Sequence, residues 1–341
     1  MELRKLQHVG QASFSITLPP KWIKENKLKP SDQITVTQEE DGSLRLVPGI
    51  ISERKEFKIT INADRCKEPG LLRRLIVGGY VRGCDLVEVV SKHGIRQGHK
   101  DEIERAVDGL LGLGTMKSAS DHITIQSLID HSKFPIKPLL KRLCDLASSM
   151  NEGAMQALKD RDASLAADII HWENEANKIY WLAMRQLEAA IHDKSLLKKV
   201  GLDGVRDPAY YRTVAIGVER TADYAEDIAK NLLALGKKEI SDADLQKVIQ
   251  LGKLAHETTS NALEAFFKGD IVLANSTMEA VDHFEKKKEE LNRELGPRIT
   301  DAQVGMCLLT IIRDLHAIAE CGKLIAEITI DNSITEKDSI P

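Results

Sequence analysis

Four oxygen-bearing side chains occur as two pairs, and the members of each pair are four residues apart: Glu173 with Asn177, and Glu219 with Asp223. Residues at this spacing lie on one face of a helix, so each pair points its oxygen atoms in one direction. Position 173 falls among the apolar residues of its segment, where a carboxylate is costly unless it is paired or bound to a metal. Two facing helices with such pairs present ligands for a hard or borderline cation. An acidic helix face exposed to solvent is the alternative interpretation.

No pattern of catalytic residues accompanies these carboxylates. Di-iron chemistry in helical bundles needs Glu-x-x-His on two helices, and the nearest approach in the sequence is Asp168-Ile-Ile-His171. His256-Glu257 does not continue to a second histidine, so the zinc-protease motif is absent. The sequence also lacks a G-x-S-x-G nucleophile motif and a phosphate-binding G-x-x-x-x-G-K loop. The chain is therefore predicted not to be an enzyme.

Charge is distributed unevenly along the chain. Its 341 residues carry 48 basic and 52 acidic side chains, a net charge of −4, which argues against a surface that is basic all over for nucleic acid. Residues 1–30, in contrast, contain six basic and only two acidic side chains. A contact with nucleic acid is therefore expected in this segment.

Cysteine usage and hydropathy indicate the compartment. The five cysteines form no C-x-x-C pair and are odd in number, so we interpret them as buried reduced thiols. No apolar run approaches the roughly 18 residues that a membrane helix needs. The charged first ten residues have no apolar block and do not resemble a secretory signal. A cytoplasmic protein without membrane insertion is expected.

Residues 1–50 have the pattern of a small β domain. Apolar and polar residues alternate as in strands, a short helix is predicted at Lys21–Lys27 behind a double proline, and Asp41-Gly42 is a predicted hairpin turn. A domain with so few core side chains is marginal as an isolated monomer. Pairing with a second copy is therefore expected.

Residues 51–130 have the pattern of a small α/β domain in the order β-α-β-α-β. Its helices are predicted at 69–82 and 101–111, and Gly112 and Gly114 are predicted to end the second. No ligand-binding motif identifies a role for this domain.

From Phe134 onwards apolar residues recur at helical spacing. Segments 146–166 and 254–274, which are 108 residues apart, share seven of 21 residues, and this indicates an internal duplication. The fold class is therefore multi-domain and mainly α, with two tandem antiparallel three-helix bundles: repeat 1 at 131–238 and repeat 2 at 239–331, followed by a tail at 332–341. Helices are predicted at about 135–160, 163–192, 208–235, 242–268, 271–295 and 301–328.

The helical region resembles the PhoU proteins, regulators of phosphate uptake that consist of two three-helix repeats with E/D-x-x-x-D motifs. The resemblance rests on D-x-x-L-A at 162–166 followed by E-x-x-x-N at 173–177, and on V-E-R-T-A-D at 218–223. It implies that one divalent or ferric ion (Mg, Mn, Zn or Fe) is bound per chain by Glu173, Asn177, Glu219 and Asp223.

Repeat 2 departs from this pattern. The residues at the positions that match Glu173, Glu219 and Asp223 are Val281, Ile312 and His316, while Asp282 and Glu285 are at least one residue out of register. The ligand set of repeat 1 is not reproduced, which leaves a second metal site in question. We interpret His316 as a core or surface histidine rather than a ligand.

Residues 1–47 resemble the AbrB/SpoVT family of swapped-hairpin DNA-binding domains. The residues that carry the resemblance are R-K-L-Q-x-V-G at 4–10, S-x-S-I-T-L-P at 13–19, Trp22 and D-Q-I-T-V at 32–36. It implies a homodimer in which two chains interlace into one β-barrel, and contacts to double-stranded DNA through Arg4, Lys5, Lys21 and Lys24. The same domain also mediates protein pairing in antidotes of toxin–antitoxin systems.

Together the two resemblances imply a phosphate-responsive regulator that binds DNA through its N-terminal domain and metal through its helical repeats. The alternative is an adaptor without DNA binding. In that case the N-terminal domain only dimerises, and the chain regulates a phosphate ABC transporter or a signalling kinase by direct contact.

Overall fold

The structure is a computed structural model that describes residues 2–10, 12–38, 42–49, 56–128, 130, 133–192 and 194–334. The chain divides into two compact units, Met1–Glu56 and Phe57–Pro341. The second unit contains both the α/β segment and the helical repeats.

The first unit consists of two separate antiparallel hairpins and one short helix. Its elements are β1 (Gln7–Val9), β2 (Ser13–Ser15), α1 (Pro20–Glu25), β3 (Ile34–Gln38) and β4 (Leu44–Pro48). β1 pairs with β2, and β3 pairs with β4. The short helix begins earlier than predicted because Pro20 occupies its first position. It ends at Glu25, and Lys27, the predicted last residue, has a positive φ of 53° that is not helical. Asp41 of the predicted hairpin turn lies outside the described residues.

The hairpins of one chain leave their apolar side chains uncovered. No described residue of this unit is buried. Large apolar side chains that are more than half exposed are Leu3, Leu6, Val9, Phe14, Ile16, Val36 and Leu44. A swapped-hairpin barrel needs a second copy to cover such residues, so the barrel stays a prediction.

The α/β segment is a four-stranded sheet packed against two helices. Its elements are β5 (Lys58–Asn62), α2 (Leu71–Val81), β6 (Leu86–Val90), α3 (Gln97–Asp108), β7 (Leu113–Ser118) and β8 (His122–Ser127). The sheet order is β5-β6-β8-β7; β5 and β6 are parallel, and the other neighbours are antiparallel.

The predicted order β-α-β-α-β for this segment is wrong, because β7 is an additional strand. Gly114 lies inside β7 instead of ending a helix, and α3 already ends at Asp108, with Gly109 as its cap. β7 is an edge strand with mostly exposed side chains and an irregular register against β8. It therefore lacks the apolar alternation that identifies a strand in the sequence.

The six long helices predicted for the repeats are confirmed within a few residues. Repeat 1 contains α4 (Ile136–Asp160), α5 (Ala163–His192) and α7 (Asp207–Leu235), and repeat 2 contains α8 (Asp242–Lys268), α9 (Ile271–Leu295) and α10 (Ala302–Ser333). A short helix that was not predicted, α6 (Lys194–Lys199), lies between α5 and α7.

Capping residues fix the ends of the helices in repeat 2. The side-chain oxygens of Ser241, Asp270 and Asp301 accept hydrogen bonds from backbone N–H groups in the first turns of α8, α9 and α10. Gly269 ends α8 in the left-handed conformation that glycine adopts at little cost. These local signals explain why the sequence predicts these boundaries well.

The two three-helix repeats share one continuous apolar core. The helices of each repeat pack on one another, α10 packs along α7, and α4 contacts α8. Gly322 permits a close approach, since a Cβ at this position would stand 3.1 Å from the backbone of Thr259 on α8. All five cysteines are buried and free, as predicted. None of the helices in the described part of the chain is long and apolar enough to cross a membrane.

Candidate metal centre

The predicted ligands of repeat 1 lie on two helices that pack side by side. Glu173 and Asn177 are one turn apart on α5, and Glu219 and Asp223 are one turn apart on α7. Ala176 and Ala222, next to these ligands in the sequence, are buried. All four predicted ligands are half-buried.

Burial and mutual repulsion make the three carboxylates hard to ionise. Burial, followed by the charges of Glu226 and Asp223, raises the pKa of Glu173 to about 7. Burial, followed by the charges of Asp223 and Glu173, raises the pKa of Glu219 to about 7. Burial, with Glu226 and Asp227 next in importance, raises the pKa of Asp223 to about 6. The structure thus brings the carboxylates into one electrostatic cluster, in which a cation relieves both the burial and the repulsion.

Lys230 on α7 lowers the pKa of Glu173 and Asp223 through its charge, but its direct ion pairs are with other residues. The Nζ atom of Lys230 lies 2.6 Å from Glu226 and 3.6 Å from Asp227. Among the residues that the structure describes, Glu173, Glu219 and Asp223 have no ion pair within 4.0 Å. The Nδ2 group of Asn177 donates to Oε1 of Glu173. The oxygen-only donor set, with no directly paired cation among the described residues, fits a hard or borderline cation.

Two segments of the chain, residues 140–232 and 248–329, match the family model of the PhoU domain. Together they cover about half of the 341 residues and fall within the two predicted repeats. The chain belongs to the PhoU domain family. This result confirms the family resemblance of the helical region and the architecture of two tandem three-helix repeats.

A solved structure with a TM-score of 0.50 shows the same fold. The phosphate transport system regulatory protein PhoU from Streptococcus pneumoniae is 22% identical, with a TM-score of 0.50; the match covers 57% of this chain and 91% of that one. PhoU from Pseudomonas aeruginosa is 20% identical with a TM-score of 0.49, covering 57% and 93% of the two chains. None of the curated proteins matches this chain. The prediction that the chain is not an enzyme agrees with membership of a family that includes such regulatory proteins.

The N-terminal unit matches a second family. Residues 7–54 match the family model of MazE, described as antidote-toxin recognition and as a bacterial antitoxin. This match to an antitoxin domain of the AbrB-like kind confirms the predicted AbrB/SpoVT-like character of the N-terminal unit. Arg4, Lys5, Lys21 and Lys24 are all exposed in this unit. Arg4 pairs with Glu2, and the Nζ atom of Lys21 lies 3.9 Å from Glu25.

PhoU repeat 2 carries a three-residue cluster that sequence reasoning did not identify. Glu285 on α9 and His316 and Glu320 on α10 each offer one ligand atom, and these atoms lie within 4.8 Å of one another. His316 pairs with Glu285, and Lys288 also lies 2.6 Å from Glu285. No three of the carboxylates predicted in repeat 1 meet this spacing among the described residues. The i, i+4 spacing of His316 and Glu320 was an available signal, but the out-of-register Glu285 obscured it.

Proposed function

We propose that this PhoU-family chain regulates phosphate transport in response to phosphate, acting as a homodimer in the cytoplasm. The observation that carries the proposal is the fusion in one chain of two PhoU repeats with a basic domain of the MazE and AbrB type. The first part is similar to a regulatory protein of a phosphate transport system. The second part supplies exposed cations suited to the DNA backbone.

In this proposal repeat 1 holds a metal ion. Glu173, Glu219 and Asp223 supply carboxylate oxygens, and Asn177 supplies its amide oxygen after it turns away from Glu173. Mg, Mn, Zn or Fe would neutralise the mutual repulsion of the carboxylates and link α5 to α7. The side chains of this chain hold and orient the ion, and its identity determines which geometry they adopt.

Metal content tests this part of the proposal. Protein purified without chelator should contain about one metal per chain by elemental analysis. The variant Glu219→Gln/Asp223→Asn should lose it, whereas Glu285→Gln/Glu320→Gln in repeat 2 serves as the matched control and should retain it. Equal metal content in the wild type and the repeat 1 variant would contradict the proposed site. Loss in the repeat 2 variant alone would place the metal at Glu285, His316 and Glu320 instead.

DNA occupancy tests the regulatory part. Chromatin immunoprecipitation should recover a small set of promoter fragments, and phosphate starvation should change their occupancy. A variant in which Lys21 and Lys24 are both alanine should lose the fragments while remaining folded. Identical, non-specific recovery of DNA fragments with the wild type and the variant, in both phosphate conditions, would contradict DNA-based regulation.

A second candidate function is that of an adaptor that does not bind DNA. The description of the MazE family model as antidote-toxin recognition favours it, because that role is a protein–protein contact. In this case affinity purification should recover a phosphate ABC transporter or a signalling kinase in a phosphate-dependent manner. The Lys21→Ala/Lys24→Ala variant should then retain its partner.

A further inference from the structure

A groove of about 580 Å³ lies between α2 of the α/β segment and helices α5 and α7 of PhoU repeat 1. Four arginines line it: Arg73 and Arg74 from the first turn of α2, Arg82 at the end of that helix, and Arg212 from α7. Trp181 and Glu188 line it from α5. We call it the arginine groove. Its described lining contains none of the four predicted metal ligands, although the charge of Arg73 lowers the pKa of Glu173 in the neighbouring carboxylate cluster.

The positive charge of the arginine groove is only partly compensated. Glu188 is the one acidic residue of its described lining, and its carboxylate stands 3.7 Å from Arg82 and 3.8 Å from Arg212. The Nη1 atom of Arg212 is buried and makes no hydrogen bond with any described residue. Arg73 and Arg74 form no ion pair within 4.0 Å with the described part of the chain, although the charge of Arg73 acts on Glu173. The guanidinium of Arg74 donates a hydrogen bond to the backbone carbonyl of Pro69. The groove therefore favours a ligand with more than one negative charge.

The side chains of the arginines, rather than the start of α2, provide the anion contacts. Glu102 on α3 accepts hydrogen bonds of 3.0 Å from the backbone N–H groups of Gly70 and Arg73. The backbone donors of that helix terminus are thus already occupied. The guanidinium groups remain available, and their planar forks match phosphate oxygens in pairs.

The arginine groove also has an apolar wall. The half-buried indole of Trp181 and the side chains of Val77 and Val81 line the side between α2 and α5. A volume of about 580 Å³ lies in the range of small-molecule sites and exceeds what a single phosphate ion fills. A flat aromatic ring can stack on the indole while charged groups reach the guanidiniums.

We propose that the arginine groove binds a nucleotide, a ligand that combines two or more phosphoryl groups with a planar base. The phosphoryl groups contact Arg73, Arg74 and Arg212, and the base packs on Trp181. The ligand then bridges the α/β segment and repeat 1, because its contacts come from α2 on one side and from α5 and α7 on the other. This assigns a binding function to the α/β segment.

Calorimetric titration of the full-length chain, with chelator present, tests the proposal. The probes are ADP and ATP, with pyrophosphate for the charge alone and adenosine for the ring alone. ADP and ATP should bind at least about tenfold more tightly than either partial probe, because only they use both halves of the groove. Equal affinity for pyrophosphate and ADP would overturn the assignment to nucleotides, as would no binding of any probe.

Variants locate the site. Arg73→Ala/Arg74→Ala should weaken ADP binding about tenfold or more, while Arg105→Ala, which removes an exposed arginine of α3 away from the groove, should leave it unchanged. Trp181→Leu should weaken ADP binding but not the weak binding of pyrophosphate. Circular dichroism and melting temperature verify that each variant is folded. An equal loss of ADP affinity in the groove variants and in Arg105→Ala would overturn the proposed site.

Discussion

The guanidinium of Arg185 on α5 lies over the ring of Tyr80 on α2, 4.8 Å from the ring centroid. It also donates a hydrogen bond to the backbone carbonyl of Tyr80, and its Nη2 atom stands 3.9 Å from Oδ1 of Asp85. Arg185 is fully buried, and Tyr80 is nearly so. A cation–π contact, a charged hydrogen bond and the approach to Asp85 therefore join the α/β segment to the helical repeats.

Replacement of this arginine should weaken the junction. Arg185→Met retains much of the apolar volume but removes the charge, the donor to Tyr80 and the partner of Asp85. We expect the free energy of unfolding to fall by about 3 kcal/mol, as when one member of a buried ionic interaction is removed. Urea unfolding measures this, and Arg105→Met, at an exposed site on α3, serves as the control. A change in Arg185→Met no larger than in the control would contradict a role for this contact in stability.

The sequence predicts the repeats better than the segment before them, and the reason is physical. Each long helix repeats its apolar pattern over six or more turns, and caps such as Ser241 and Asp301 mark its beginning. β7 has six residues, contains Gly114 and lies at a sheet edge, so no periodic pattern develops. The short helix α6 likewise spans fewer than two turns.

The candidate sites differ in the same way: one could be predicted from the sequence and the other could not. The i, i+4 pairs at Glu173 and Glu219 follow from helix geometry and could be found in the sequence. The arginine groove could not, because Arg73 and Arg212 are distant in the sequence and meet only when α2 packs on the helical bundle. The burial of Arg185 has the same origin, since its partner Tyr80 is 105 residues away.

The exposed apolar residues of the first unit predict a dimer. Phe14, Val36 and Leu44 are each more than half exposed in one chain, and covering them in a second copy recovers their hydrophobic free energy. Phe14→Asp should therefore shift the protein from dimer to monomer in light scattering. Val272→Asp, which changes an exposed apolar residue of the second unit, should leave the dimer intact. A dimer that survives Phe14→Asp would place the interface elsewhere.

The carboxylates of repeat 1 predict a pH-dependent stability of the metal-free protein. The pKa values of Glu173 and Glu219 rise to about 7 on folding, whereas an unfolded glutamate titrates near pH 4.3. The folded state therefore binds more protons, so the stability from these groups is present at low pH and is lost as the pH rises through about 7.

The variant Glu173→Gln/Glu219→Gln should not experience this loss, because its amides stay neutral. Its melting temperature should exceed that of the wild type by about 2–4 °C at about pH 8 and by much less at about pH 5, a modest gain because the side chains are half exposed. Glu104→Gln, at an exposed glutamate of α3, should produce no such difference. The same gain at both pH values would show that the carboxylates do not titrate as described.

DNA binding by the first unit should depend strongly on salt. Arg4, Lys5, Lys21 and Lys24 are exposed in each chain, so a dimer offers about eight cations to the phosphate backbone. If six to eight of them contact phosphates, the slope of log K against log salt should be roughly −5 to −7. The net charge of −4 per chain opposes the approach of DNA at low salt, and salt screens this repulsion as well.

Lys21→Ala should reduce the magnitude of the slope of log K against log salt by up to about 2 in the dimer, because both copies of the residue are lost. Lys159→Ala, at an exposed lysine in repeat 1, should leave the slope unchanged. A slope near zero on promoter DNA would favour the adaptor, because a protein that makes no phosphate contacts releases no counterions when salt is raised.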